Sequence, residues 1–255
     1  MSTSRFDEPG PSPLVVAVDG PSGSGKSSVS RAVAERLGLR YLDTGAMYRA
    51  LTWWALDRGL DLADPADPAT QAAVAELVRK LPLEIGESPT SMLLTVDGQD
   101  VAAAIREPRI TAAVSAVATN LAVREELVRR QRKVAAGGGI VIEGRDITTV
   151  VAPDADVRVL LTADEPARLA RRALEVHGSD DDAAIERTRD HVVRRDALDS
   201  TVATFTDAAE GVTVVDSSAL SFEETVQAVL DLVRAAAAPA APAAPAAPAA
   251  PVERS

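Results

Sequence analysis

The segment Gly20-Pro21-Ser22-Gly23-Ser24-Gly25-Lys26-Ser27 constrains this chain more than any other, because it matches Gly-x-x-x-x-Gly-Lys-Ser/Thr in full. It follows a short apolar run, Leu14–Asp19, and opens an amphipathic one, Lys26–Leu37. Glycines let backbone N–H groups turn inward, and the partial positive charge of the helix N-terminus adds to them, so the loop is built to hold phosphate. On this reading Gly20, Ser22, Gly23, Ser24, Gly25, Lys26, Ser27 and Ser28 form the cradle. Lys26 bridges the outer phosphates, and Ser27 is the protein ligand for Mg²⁺. The loop implies a nucleotide and leaves the reaction open, since motors, GTPases and kinases all carry one.

Four more apolar runs follow: Arg40–Asp43, Ile140–Glu143, Val157–Leu161 and Val212–Asp216. Each has the length and composition of a strand buried on both faces of a parallel sheet. Helical periodicity follows most of the runs, over Ala46–Arg58, Pro166–Val176 and Phe222–Arg234. Strand and helix in alternation predict an α/β chain with a doubly wound parallel sheet. Between the second and third runs, Leu81–Gly86 and Met92–Val101 alternate around an Asp97-Gly98 turn, flanked by helices near Ala69–Lys80 and Arg109–Ala135. An inserted α+β subdomain is expected there, at about residues 62–125, within a single domain of residues 14–234. Residues 1–13 read as a flexible polar arm and 235–255 as an Ala/Pro-rich disordered tail, whose Ala-Ala-Pro repeat favours an extended spacer.

Composition narrows the partners. With 27 Lys+Arg against 38 Asp+Glu the net charge is −11, which repels nucleic acid and anionic membrane surfaces. Aromatic residues make up 3%, too few for a base-stacking platform. Phosphate chemistry in such a chain requires local arginine clusters. The absence of cysteine excludes disulfides and thiolate metal sites and fits a reducing cytoplasm. His177 and His191 stand apart from any metal-ligand spacing and read as ordinary surface or packing residues. No apolar run approaches the roughly 20 residues of a membrane span.

A GTPase would show a guanine-reading Asn-Lys-x-Asp, which the chain lacks. A switch ATPase would show an apolar strand ending in acids, and Ile140–Glu143 comes close to that. In Asp43-Thr44-Gly45-Ala46-Met47-Tyr48-Arg49 a hydroxyl at a strand end precedes an arginine by about one and a half helical turns. Thr44 and Arg49 suit a clamp for a second, smaller phosphate group. A capping Thr44 with a solvated Arg49 is the competing reading.

Five segments, DGPSGSGKSSVSR, LDTGAMYR, VSAVATNLAVREELVRRQR, GGIVIEGRDITTVVAPDADVRVLLTA and RRDALDST, resemble the bacterial cytidylate kinases in order and spacing. The resemblance spans about residues 14–234. It implies a P-loop kinase fold, a five-stranded parallel sheet flanked by helices, with the insert enlarging the acceptor region. It also implies transfer of the γ-phosphoryl of ATP to CMP or dCMP, giving CDP or dCDP, with Mg²⁺. Thr44 and Arg49 would hold the acceptor phosphate, Ser115 and Arg124 the cytosine edge, and Arg145 and Asp146 the acceptor. Arg195 and Asp199 would reach its sugar and phosphate. Lys26, Arg145 and Arg195 are the groups expected to carry the transfer, in a cytoplasmic monomer without nucleic-acid or membrane partners. A P-loop kinase with another small acceptor and a non-kinase ATP-dependent switch protein are the alternatives.

Spacing adds independent constraints. Ser115 and Arg124 are nine positions apart, about two and a half turns, so on one straight helix they face opposite ways. If both touch one base the helix must break, and Thr119-Asn120 supplies capping residues there. Arg195 and Asp199 are i and i+4 and share one stripe. Val202, three positions further along that stripe, stands where the family commonly has an arginine, and ATFTDAAEG replaces a usual proline-containing segment. Glu143 stands where some relatives carry Asp. Arg168, Arg171, Arg172, Arg187 and Arg194 flank an acidic stretch, His177–Ala184, that suggests the tip of a lid at about 173–186. Residues 178–184 by themselves read as a solvated loop.

Overall fold

A computed structural model describes residues 14–237. The arm expected at 1–13 and the Ala-Ala-Pro repeat from 238 onward lie outside the described residues. In chain order the elements are β1 (Val15–Asp19), α1 (Lys26–Leu37), β2 (Arg40–Asp43), α2 (Thr44–Asp57), α3 (Pro68–Arg79), β3 (Leu83–Ile85), β4 (Leu94–Val96) and β5 (Gln99–Asp100). There follow α4 (Pro108–Ala118), α5 (Leu121–Ala135), β6 (Ile140–Gly144), β7 (Val157–Thr162), α6 (Glu165–His177), α7 (Asp182–Asp199), β8 (Thr213–Asp216) and α8 (Phe222–Ala237). A 3₁₀ turn at Ala104–Arg106 and a π-helical turn at Ile147–Val151 complete the set.

The five apolar runs pair as one parallel sheet in the order β2, β6, β1, β7, β8. β1 lies at the centre, and its neighbours β6 and β7 are reached in opposite directions. Such a topological switch point opens a crevice at the carboxyl ends of the strands, where the loop after β1 emerges. β1 and β6 are buried almost throughout, as the unbroken apolar runs require. β8 departs from the expectation of two-sided burial: it is an edge strand that buries Val215 and leaves Val214 half exposed. Its β-branched residues reflect strand propensity at an edge.

Two apolar layers sandwich the sheet. On one face α1 and α8 pack through Val29, Val33, Val226 and Val229 against Val16, Val18 and Val159. On the other, Leu51, Trp53 and Trp54 of α2 join Ile110 and Val114 of α4, Leu127 of α5 and the sheet's Ile140 and Ile142. The antiparallel sheet β3, β4, β5 turns at Asp97-Gly98, both with positive φ, as a tight hairpin requires. Its Leu94 and Val96 are buried in that same cluster, so the inserted segment shares the core of the sheet.

The helix expected over Arg109–Ala135 is two helices. Asn120 caps α5, its Oδ1 accepting from the Val123 N–H at 3.1 Å while its Nδ2 donates to the Gln71 side chain at 2.6 Å. At the C-terminus α8 runs on through Ala237, so residues 235–237 belong to the helix and not to the tail. Alanine is the best helix former, and the first proline comes only at 239. At the expected lid, α6 and α7 form a helical hairpin joined by residues 178–181, with Gly178 capping α6 at φ 70°. Among the described residues no helix is long and apolar enough to cross a membrane.

The break at Asn120 is testable by its energetics. Asn120→Ala removes a cap and the amide that donates to the half-buried Gln71 side-chain oxygen, and should lower unfolding stability by about 2 kcal/mol in urea titrations. An unchanged midpoint would show that the bend is set by packing alone.

Candidate active site

The crevice at the carboxyl edge of the sheet is a cavity of about 1130 Å³. Its floor is the phosphate loop. Gly25 adopts φ 85° directly before α1, and no side chain caps the helix, so the first amides of α1 are left to the loop. Ser22, Gly23, Gly25, Lys26, Ser27 and Ser28 face the cavity; Gly20 and Ser24 do not. Ser24 is buried behind the loop. Lys26 is half-buried at the cavity floor, and its ammonium donates to the Pro21 carbonyl at 3.3 Å. Burial, reinforced by the nearby Arg145, pulls its pKa below the usual lysine range, a strain that an anion would relieve.

Asp43 and Glu143 flank the loop and were not in the site set read from the sequence. They are register partners at the ends of β2 and β6, which places their carboxylates side by side. Glu143 accepts from the Ser27 hydroxyl at 2.7 Å. Burial, then the charge of Asp43, pushes the Glu143 carboxyl above the usual range. Two crowded carboxylates beside a serine hydroxyl are hard oxygen donors, and Mg²⁺ takes few of these from protein and the rest from phosphate and water. The residues present therefore fit Mg²⁺ at Ser27. Among the described residues there is no cluster of three or more His, Cys, Asp or Glu that would hold a metal without such help.

Thr44 does not cap α2. Asp43 does, accepting from the Ala46 N–H, while the buried Thr44 hydroxyl donates to the Glu143 carbonyl at 2.8 Å. Arg49 is not solvated: it lines the cavity and donates to the Ile105 carbonyl at 3.3 Å and the Thr111 hydroxyl at 3.0 Å. Burial, then Arg195 and Arg172, push its pKa down to about 9. Arg195 is likewise depressed by burial and by Arg145. Its Nε lies 3.5 Å from Asp199 and makes no hydrogen bond. Arg49, Arg145, Arg172 and Arg195 thus line one wall of an otherwise acidic protein; Arg172 pairs with Glu175 at 2.7 Å and Arg145 with Asp196 and Asp199, whereas Arg49 has only neutral acceptors. Such a wall suits an anion and faces the phosphate loop across the same cavity.

Arg145 lies between the two anion sites. Its guanidinium donates to the Gly20 carbonyl at 2.5 Å, to Asp196 at 3.1 Å and to Asp199 at 3.2 Å, and it stacks 4.5 Å from the centroid of the buried Phe205 ring. Phe205 comes from the segment that departs from the family pattern, and nothing in the sequence marked it as a platform. Arg124 pairs with Asp146. Both line the cavity, beside the hydroxyl of Tyr48, another residue the sequence did not single out. Ser115 does not reach the lining; it is buried and its hydroxyl lies 3.4 Å from Asp199. Val202 lines the cavity, but α7 ends at Asp199, so it belongs to the following turn and not to the Arg195–Asp199 stripe. Of the basic residues flanking the hairpin tip, Arg172 lines the cavity, whereas Arg168, Arg171, Arg187 and Arg194 do not.

A phosphate loop on the central strand, faced across one cavity by an arginine-lined second anion site, defines a P-loop phosphotransferase. A model of the cytidylate kinase family matches residues 16–235. The chain is 52% identical over 223 residues to a cytidylate kinase of Cutibacterium acnes, covering 87% of this chain and 96% of that one. It is 50% identical over 220 residues to one from Nocardia farcinica, covering 84% and 90%, and 46% identical over 225 residues to one from Streptomyces griseus, covering 87% and 93%. The chain belongs to the cytidylate kinase family.

The Arg124–Asp146 pair can be tested without any ligand. Deleting one member leaves a buried charge alone, so Asp146→Ala should cost about 3 kcal/mol of unfolding stability, and Asp146→Ala/Arg124→Leu less than that. Equal losses in the two variants, measured by chemical denaturation, would mean that the pair is solvated enough to be dispensable.

Proposed function

We propose that this enzyme transfers the γ-phosphoryl of ATP to CMP or dCMP, producing ADP and CDP or dCDP. The observation that carries the reading is the cluster of Arg49, Arg145, Arg172 and Arg195 facing the phosphate loop across one cavity. The transition state of phosphoryl transfer is loose, so positioning and charge neutralisation constitute most of the catalysis. The loop amides and Lys26 hold the donor phosphates. Ser27, with Glu143 and Asp43 close by, would hold Mg²⁺, which would supply charge neutralisation for the donor oxygens. Thr44, Arg49 and Arg195 hold the acceptor phosphate, and Arg145, touching neither end exclusively, follows the group in flight.

Base recognition falls to Arg124 and Asp146, with Ser115 acting from behind through Asp199. Cytosine offers O2 and N3 as acceptors and a 4-amino donor, which a guanidinium and a carboxylate can read together. Asp199 orients Arg145 and Arg195 and lies at the sugar end of the same wall. The insert at about 62–125 contributes the acceptor side, and the α6–α7 hairpin closes over the donor as a lid that excludes water. A monomer working in the cytoplasm is the setting we propose for it.

A coupled ADP-release assay over CMP, dCMP, UMP, AMP, GMP and shikimate tests the assignment. The two cytidylates should be the fastest acceptors; a preference for another acceptor, or ATP hydrolysis that ignores all of them, would refute it. Lys26→Ala should lower kcat about a thousandfold, roughly 4 kcal/mol of transition-state stabilisation. A folded variant that retains substantial turnover would remove Lys26 from its role.

Acceptor-side substitutions should act selectively. Arg124→Ala and Asp199→Ala should each cost about 30- to 150-fold in kcat/KM for CMP, with KM for ATP much less affected. Val202→Arg returns the charge common in the family and should bind CMP at least as tightly as the parent. Weaker binding by a folded Val202→Arg protein would show that another group already fills that position.

A further inference from the structure

Asp196 carries no role in the scheme above, yet three segments of the chain meet at its carboxylate. Oδ1 accepts from the Ser22 backbone N–H of the phosphate loop at 3.1 Å and from Arg145 Nη2 at 3.1 Å. Oδ2 accepts from Arg168 Nη1 at 2.5 Å. Arg168 Nη1 also donates to the Ser22 carbonyl at 3.0 Å. Both backbone polar groups of Ser22 are thus gripped by an ion pair that links α6 to α7. Gly23, at φ 77°, presses its backbone against that of Arg168, where a Cβ would come within 2.4 Å of the Arg168 carbonyl oxygen. Neither Asp196 nor Arg168 lines the cavity.

We propose that Asp196 is a positioning residue: it fixes Arg145 and the phosphate loop in one register and acts on the reaction through Arg145. The inference rests on the phosphoryl-transfer reading. A carboxylate suits the task because two guanidiniums and an amide N–H converge on it. An amide could accept from Ser22 but could not neutralise Arg145 and Arg168, which would then repel each other across a partly buried gap. The helix pair that carries Asp196 is thereby keyed to the donor loop. Motion of the hairpin tip leaves its base in place, because that base is anchored to the loop.

The test is a double-mutant cycle of Asp196→Asn and Arg145→Ala, read in kcat, in KM for CMP and in the calorimetric affinity for Mg-ADP, with melting temperatures recorded. Asp196→Asn should lower kcat by about tenfold or more while KM for CMP stays within about threefold, and in the Arg145→Ala background the same change should cost less than about twofold. Asp196→Glu, which keeps the charge, should recover part of the loss and serves if Asp196→Asn does not fold. Equal losses in both backgrounds, or a lower melting temperature with unchanged kcat, would overturn the proposal. The parent's turnover of CMP is the control for the underlying reading. Should the parent bind Mg-ADP but ignore CMP, that reading fails by itself, and the cycle is decided by Mg-ADP affinity, where the same non-additivity is expected.

Discussion

Asp19 ends the central strand as a buried carboxylate, and the layout of the site depends on where its hydrogen bonds go. Its two oxygens accept from the Ile147 and Thr148 N–H groups, each at 2.8 Å, and from the Thr148 hydroxyl at 2.7 Å. Burial pushes this carboxyl above the usual range, and the three donors offset that rise in part. The bonds tie the end of β1 to the π-helical turn that follows β6. They therefore fix Gly144, Arg145 and Asp146 relative to the phosphate loop, which leaves β1 at the next residue. Donor loop and central arginine are placed by one side chain.

The same logic of compensated burial runs through the cavity wall. Ionised groups are expensive to bury unless paired, and Arg124 with Asp146 and Arg145 with Asp196 and Asp199 meet that condition. Arg49 and Arg195 meet it only in part, with neutral oxygens and one distant carboxylate for partners. Their lowered pKa values record that shortfall. The acidic balance of the chain as a whole keeps this local excess of positive charge from becoming a general polyanion-binding surface.

Much of this was legible in the residues. The phosphate loop, the five apolar runs and the i, i+4 spacing of Arg195 and Asp199 are local patterns whose periodicity reports backbone conformation directly. The break at Asn120 could be anticipated from its capping residues, although the facing requirement joined to them does not hold, because Ser115 stays off the cavity lining. Residues whose surroundings come from distant segments carry less of their role in the local sequence. Thr44 and Arg49 looked equally like a cap and a solvated arginine until Asp43 took the cap and Thr111 enclosed the arginine. Ser115 proved to face Asp199, 84 positions away, and not the cavity.

What the sequence by itself determined is the sequence of elements, the donor loop and, through its motifs, the family. Only the tertiary structure decided that Asp43 and Glu143 are register partners, that Phe205 lies under Arg145, and that Asp196 reaches an amide 174 positions earlier in the chain. The reason is physical. Helix and strand periodicities are encoded within a few neighbouring residues, whereas the pairing of parallel strands and the docking of the α6–α7 hairpin are settled by which surfaces pack together. Contacts between distant segments leave no period in the sequence to read.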